Sequence, residues 1–226
     1  SADLQILESR NGRFATPPVI NATAVGRAQL RFDDCDRASL SYSFDAQQQG
    51  GAHGVIALIR LTPLTLPCRR PDGSTQAAAV NPPPAGGLDV RQSGTWYAPT
   101  SSGQGIQLYV LPESGSTPGF VFGAWFTFDP EAEVDDVAKQ DWLTLQGLAS
   151  NVSEGRVRIA ILRTVGGSLD AQPTRNTVPI GEANLQFTAC DRMTLDYSFV
   201  DQSIAGGHRG RSGSIALQRL DPCLPP

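Results

Sequence analysis

The chain has 226 residues, 40% of them hydrophobic and 18% charged, with a formal net charge of −4. That length buries one large core or two modest ones, and it holds no apolar run of the roughly 18 residues that a transmembrane helix needs. The acidic balance argues against nucleic acid as a main partner.

Alternation of apolar and polar residues is the dominant period along the chain, so the elements are predicted to be β-strands. Residues 1–68 carry four, near 3–9, 27–34, 38–45 and 54–62. In them Leu30-x-Phe32, Leu40-x-Tyr42-x-Phe44 and Ile56-x-Leu58 place apolar side chains on one face. Residues 69–91 follow, with Ala77-Ala-Ala79 and Pro82-Pro-Pro84, a composition expected of a semi-rigid linker. Residues 92–226 carry eight predicted strands, near 94–98, 104–111, 120–128, 141–148, 156–164, 182–189, 193–200 and 213–220. Glycine pairs at Gly50-Gly51, Gly166-Gly167 and Gly206-Gly207 lie between strands and mark turns. Helical signals are nearly absent, and the stretch 130–140 has room for one short turn.

A shift of 155 residues lays the first part of the chain on the last. Gly26 to Phe44 then covers Gly181 to Phe199 with eleven of 19 positions identical, and Gly54 to Leu61 matches Gly213 to Leu220 after a four-residue length change. Residues 1–68 thus correspond only to the second half of the 92–226 unit. The four cysteines obey the same repeat: Cys35 and Cys68 are 33 positions apart, as are Cys190 and Cys223. Equal separations predict one disulfide within each copy and an oxidising compartment, so the protein is expected to be secreted, periplasmic or at the cell surface. No signal peptide precedes Ser1, as expected of a mature chain or an excised fragment. A 68-residue half-unit is a marginal domain with sheet edges to cover. It is expected to pack on the long unit, to pair with another chain, or to be the remnant of a longer unit, the first being favoured.

The string Gly94-Thr-Trp96-Tyr97-Ala-Pro99, Ser102-Gly-Gln104-Gly105, Trp125-Phe-Thr-Phe-Asp129, Trp142-Leu143, Phe187-x-x-Cys190 and Gly213-x-Ile215-x-Leu217-x-Arg219-Leu220 resembles a recurrent β-repeat domain. That repeat occurs in secreted and surface proteins of gammaproteobacteria and has no settled activity. The segment 130–141 departs from it, where a short Gly-containing turn is expected. More weakly, Gly-Thr-Trp-Tyr opening an eight-stranded unit is similar to lipocalins and avidins, a likeness that implies an up-and-down barrel around a small ligand. The fold class read from the chain is therefore all-β, antiparallel sheets or a barrel-like unit with an internal repeat and one disulfide per copy.

Residues 92–150 have no second copy in the chain, yet they hold all three tryptophans and a glycine-flanked glutamine, so candidate ligand contacts concentrate there. Trp96, Tyr97, Gln104, Trp125 and Trp142 are the candidate binding residues, aromatic faces suiting sugar rings and Gln104 supplying a polar rim, although β-core packing is the favoured account of the aromatics and a glycine-flanked loop explains Gln104 equally. Asp129, Glu131, Glu133, Asp135 and Asp136 offer five carboxylates. Val134 and Gln140 stand where a helix–loop–helix calcium site needs its glycine and closing Glu, so a solvated loop is the better reading. No Cys-x-x-Cys or phosphate loop occurs, and no metal or other cofactor is expected. His53 and His208 do not align between the copies, and Gly210-Arg-Ser212-Gly213 lacks the last glycine of a nucleophile elbow. The sequence is thus expected to encode a secreted, non-catalytic binding or assembly module whose partner is polysaccharide, other cell-surface material or a protein. A barrel-like small-ligand binder is the alternative, and a hydrolase with an unannounced site the second alternative.

Overall fold

The computed structural model describes residues 1–10, 14, 21–60, 64, 66–78, 88, 90–101, 103–111, 118–131, 140–149, 152–153, 155–167 and 176–223. They divide into two compact units, a small one built on the first part of the chain and a larger one that includes Phe14.

The small unit is an antiparallel sheet in the order β1 (Ala2–Arg10), β2 (Asn21–Phe32), β3 (Arg37–Phe44), β4 (His53–Ile59). Two short strands, β5 (Cys68–Arg69) and β6 (Thr75–Gln76), form a hairpin beside it. This hairpin occupies the start of the stretch that composition marks as a linker. A turn around Asp72, whose carboxylate accepts from the Ser74 backbone N–H at 2.8 Å, closes it, and Gln76 Nε2 donates to Asp36 Oδ2 at 3.0 Å.

The larger unit is a closed antiparallel barrel of eight strands. They are β7 (Gly94–Tyr97), β8 (Gly105–Leu111), β9 (Phe120–Phe128), β10 (Gln140–Leu148), β12 (Arg156–Val165), β13 (Asn176–Ala189), β14 (Arg192–Phe199) and β15 (Ser212–Arg219). Consecutive strands pair around the ring, β10 pairs with β12, and β15 returns to β7 through Arg219↔Trp96, while β11 (Val152–Ser153) adds to β12. Every connection joins neighbours, which is the up-and-down topology that the likeness to lipocalins and avidins implies. All eight strands predicted for this unit are present. β2 and β13 begin about six residues earlier than alternation predicts, and in β13 Pro179 and Gly181 interrupt the pattern. A register shift opposite Ile161 and Leu162 absorbs that interruption, so pairing continues past the proline.

Alternation sends one set of side chains inward. Trp96, Leu108, Val110, Val121, Leu143, Leu145, Leu185 and Leu195 are fully buried. One barrel end is closed by a 3-10 turn (Val90–Gln92), whose Gln92 carbonyl accepts from Trp96 Nε1 at 3.2 Å. The Arg219 guanidinium lies 5.9 Å from the Trp96 ring and donates to the carbonyls of Arg91 and Ser93. Last strand, first strand and end turn are thereby fastened at one point. The disulfides are Cys35–Cys68 and Cys190–Cys223, with Cα–Cα distances of 6.0 and 5.8 Å, one in each unit. Two bridges with no free cysteine fit an oxidising, extracytoplasmic compartment. No helix among the described residues is long and apolar enough to cross a membrane.

Candidate functional site

The candidate residues part according to strand face. Trp96 and Trp125 point inward and are buried at 0% and 2% exposure, so they belong to the core rather than to a binding surface. Trp125 joins an aromatic cluster with Phe14, Tyr197 and Phe199, stacked on the last at 6.1 Å. Gln104 is also buried, and its Oε1 accepts from Thr127 Oγ1 at 2.8 Å, which takes it off the rim where it was expected. Tyr97 is half-buried on the outer face. Trp142 stands 63% exposed.

Register places the outward residues in rows across the strands. Trp142 faces Phe126, Phe126 faces Gly105, and Gly105 faces Tyr97. Three aromatic rings therefore lie along one line over four adjacent strands, with the glycine leaving bare backbone between Phe126 and Tyr97, roughly 10 Å apart at two strand spacings. Below this row run Thr144, Ala124, Gln107 and Thr95, then Gln146, Phe122 and Tyr109. Phe126 is 51% exposed, and Tyr109 and Leu148 are exposed as well. No outward position on β8, β9 or β10 is charged. The outer face of β12–β15 differs: Arg158 pairs there with Glu182, Asn184 and Asp196 lie in register with Arg158, and Arg192 and Gln218 face each other farther along the same face. The aromatic wall thus coincides with the part of the barrel that the small unit does not repeat.

A second cluster closes the barrel end opposite the 3-10 turn beneath Trp96. Asp141 sits at an inward position of β10, two before Leu143, and Arg163 at an inward position of β12, two after Ile161. Asp141 Oδ2 accepts from Arg163 Nη2 at 2.7 Å and lies 2.9 Å from Nε2 of His208. His208 ends a 3-10 segment (Ser203–His208) in the β14–β15 connection and is fully buried, stacked on Phe199 at 4.6 Å and edge-on to Phe14 at 4.9 Å. Gly206 and Gly207 let this segment lie flat, since a Cβ on either would overlap the Arg163 guanidinium or the Asp129 carboxylate. Burial alone would raise the Asp141 pKa, but the hydrogen bonds and charges of His208 and Arg163 outweigh it and hold the carboxyl at about 2. It is therefore a carboxylate, and His208 Nε2 donates to it. His208 Nδ1 is buried with no hydrogen-bond partner among the described residues.

Sequence reasoning missed this cluster, since His208 reads as one polar residue in a glycine-rich loop. The available signal was a charge at an inward position of two strands. Of the acidic loop, Glu133, Asp135 and Asp136 lie outside the described residues. Among those described, no group of three metal-ligating side chains comes together. No family model, curated protein or solved structure matches the chain.

Proposed function

We propose that the protein is a non-catalytic binding module, working outside the cytoplasm in secreted, periplasmic or surface-attached form. Its β8–β10 wall takes the rings of a neutral polysaccharide. The observation that carries this reading is the in-register row Trp142–Phe126–Gly105–Tyr97 on an uncharged face. Flat aromatic faces stack on the C–H-rich faces of sugar rings, and the flanking amides and hydroxyls of Gln107, Thr144 and Gln146 supply hydrogen bonds. A wall without charge suits a neutral polymer and offers nothing to an acidic one. An exposed apolar patch of this kind is a recognised mark of an interaction surface.

The test is depletion of the full chain by insoluble neutral glucan and chitin, set beside soluble acidic polysaccharide. Binding to a neutral polymer that Trp142→Ala and Phe126→Ala abolish supports the reading. Retention by neither polymer, or retention indifferent to both substitutions, overturns it. If those substitutions instead remove binding to a protein from the same surface, the partner is protein rather than glycan.

A second reading is favoured by the orphaned Nδ1 of His208: a small ligand held at the polar barrel end, where a donor would satisfy that nitrogen. Native mass spectrometry of the purified protein checks it, an adduct lost on His208→Phe being the supporting result. A hydrolase reading has less support, because no hydroxyl among the described residues lies within bonding distance of that nitrogen.

A further inference from the structure

We propose that the open stretch of β15, residues 212–216, takes an extended acidic peptide as an added strand. The seam that closes the barrel is short. β15 meets β7 through Gln218↔Tyr97 and Arg219↔Trp96, and a bond from the Leu220 N–H to the Thr95 carbonyl at 2.8 Å extends the seam by one residue. Pairing with β14 shows which way the rest of β15 faces. Phe199 N–H bonds to the Arg211 carbonyl and Arg219 N–H to the Asp191 carbonyl, so the odd-numbered residues of β15 give their backbone groups to β14. The even-numbered residues turn theirs to the β7 side.

Pro99 leaves those groups bare. Continued past Gln218↔Tyr97, the next hydrogen-bonded pair of the seam would be Ala216 with Pro99, and proline has no N–H to give. β7 stops at Tyr97, and the Ser101 N–H turns back to the Ala98 carbonyl at 3.1 Å. On that side the N–H and C=O groups of Ser212, Ser214 and Ala216 therefore have no backbone partner among the described residues. All three residues are exposed, as is Gly213. The run holds no proline or lysine, and its register with β14 is unbroken. A line of unpaired ladder groups is a template for another strand.

Side chains beside the edge indicate what that strand carries. Gly213 is at an inward position, and a Cβ there would lie 2.6 Å from the Tyr197 hydroxyl, so the bare glycine brings that hydroxyl over β15. Tyr197 is only 9% exposed, and its hydroxyl makes no hydrogen bond among the described residues. Burial raises its pKa, against the opposing charge of Arg211, so the hydroxyl keeps its proton and is a donor. Arg211, one step before β15, is exposed. Its Nε donates to the Gly207 carbonyl at 3.0 Å, and it has no carboxylate partner among the described residues. On an added antiparallel strand, the residue opposite Gly213 points its side chain to the Tyr197 hydroxyl and is the diagonal neighbour of Arg211. A carboxylate at that position accepts from both. The recognised pattern is therefore an Asp or Glu two residues from an apolar side chain that faces Ile215. This edge lies apart from the aromatic wall on β8–β10 and is independent of it.

The test uses the full chain and the labelled peptide Thr-Val-Thr-Asp-Thr-Val-Thr, read by fluorescence anisotropy and amide hydrogen exchange. In the free protein the amides of Ser212, Ser214 and Ala216 should exchange fast and those of Gly213 and Ile215 slowly, and saturating peptide should protect the first three. N-methylation of the two threonines beside the aspartate, whose N–H groups would face β15, should abolish binding, whereas N-methylation of the aspartate should not. Asn for Asp in the peptide and Arg211→Gln in the protein should each weaken binding about tenfold, the worth of one hydrogen bond to a charged group, and together little more than either alone. Ser214→Pro removes no hydrogen bond of the free protein and should prevent binding with tryptophan emission unchanged. The exchange and N-methyl measurements need no variant and decide the matter if Ser214→Pro does not fold. Slow exchange at 212, 214 and 216 without peptide overturns the proposal, as does absence of binding at millimolar peptide. Equal binding of the Asp peptide and its Lys counterpart, or binding indifferent to N-methylation beside the aspartate, overturns it too.

Discussion

Replacing Asp141 with asparagine removes the charge that holds Arg163 and His208 at the barrel end. The Asp141 side chain is only 19% exposed, so solvent screens the interaction weakly. Its pKa falls from 3.8 to about 2, which converts to about 2.5 kcal/mol of stability. Asparagine keeps one acceptor oxygen but leaves a buried guanidinium without its counter-charge, a change that costs about 3–5 kcal/mol when one partner of a buried pair is lost outright. A loss of about 2–4 kcal/mol is expected near pH 7. The sign with pH follows from the depressed pKa: the stabilisation is complete above the unfolded value of 3.8 and disappears as the pH falls through about 2. The assay is urea denaturation followed by tryptophan fluorescence at several pH values. All three tryptophans lie in the barrel, so the signal reports that unit alone. Wild type and Asp141→Asn should differ at pH 5–7 and converge near pH 2. An equal gap at pH 2 and pH 7, or a gap below about 1 kcal/mol at pH 7, would refute the account of a carboxylate held ionised by its two partners.

Trp96→Ala and Trp125→Ala should each cost about 3–5 kcal/mol by calorimetry, whereas Trp142→Ala should leave the melting temperature nearly unchanged and reduce only polysaccharide retention. Tyr42→Ala should lower the stability of the small unit without touching tryptophan fluorescence, as hydrogen exchange on β2 and β3 would show. Mass mapping should find Cys35 joined to Cys68 and Cys190 to Cys223, and removing either bridge should cost about 4 kcal/mol in the chain-entropy account, checked by denaturation with and without reductant. Gly26→Ala and Gly181→Ala should destabilise their own units to a similar degree, about 1–3 kcal/mol each, because the added methyl meets a backbone carbonyl in both.

Much of the fold was legible because period-2 alternation is a local signal. Leu195-x-Tyr197-x-Phe199 announces an inward face whatever lies opposite it. The repeat likewise made the disulfide partners legible through equal spacing. Closure was not legible: it depends on Arg219 meeting Trp96 and on a short β10–β12 ladder, pairings between distant segments that leave no mark on either strand. The candidate binding residues were half legible. Parity with Leu143 and Leu145 puts Trp142 outside, and parity across β9 separates Trp125 from Phe126, yet the aromatic row also needs the register of four strands. His208 was illegible because its partners stand in strands far from it in sequence, and only the closed barrel brings Asp141 and Arg163 beneath it.

Phe14 has a consequence for how the chain reaches its native state. This residue belongs to the stretch between β1 and β2, yet its ring sits among Trp125, Tyr197, Phe199 and His208. Modules in sequence and modules in folding therefore do not coincide. A chain emerging N-terminus first presents Phe14 long before the last barrel strands exist, and the ring must wait for them or be inserted late. Contacts of such long sequence separation slow folding, because closing the loop costs entropy before the contact repays it. Cutting the chain just before Leu88 would keep the end turn and every barrel strand but remove the Phe14 ring, giving a barrel less stable than the same strands in the whole protein and slower to unfold once Phe14 is restored.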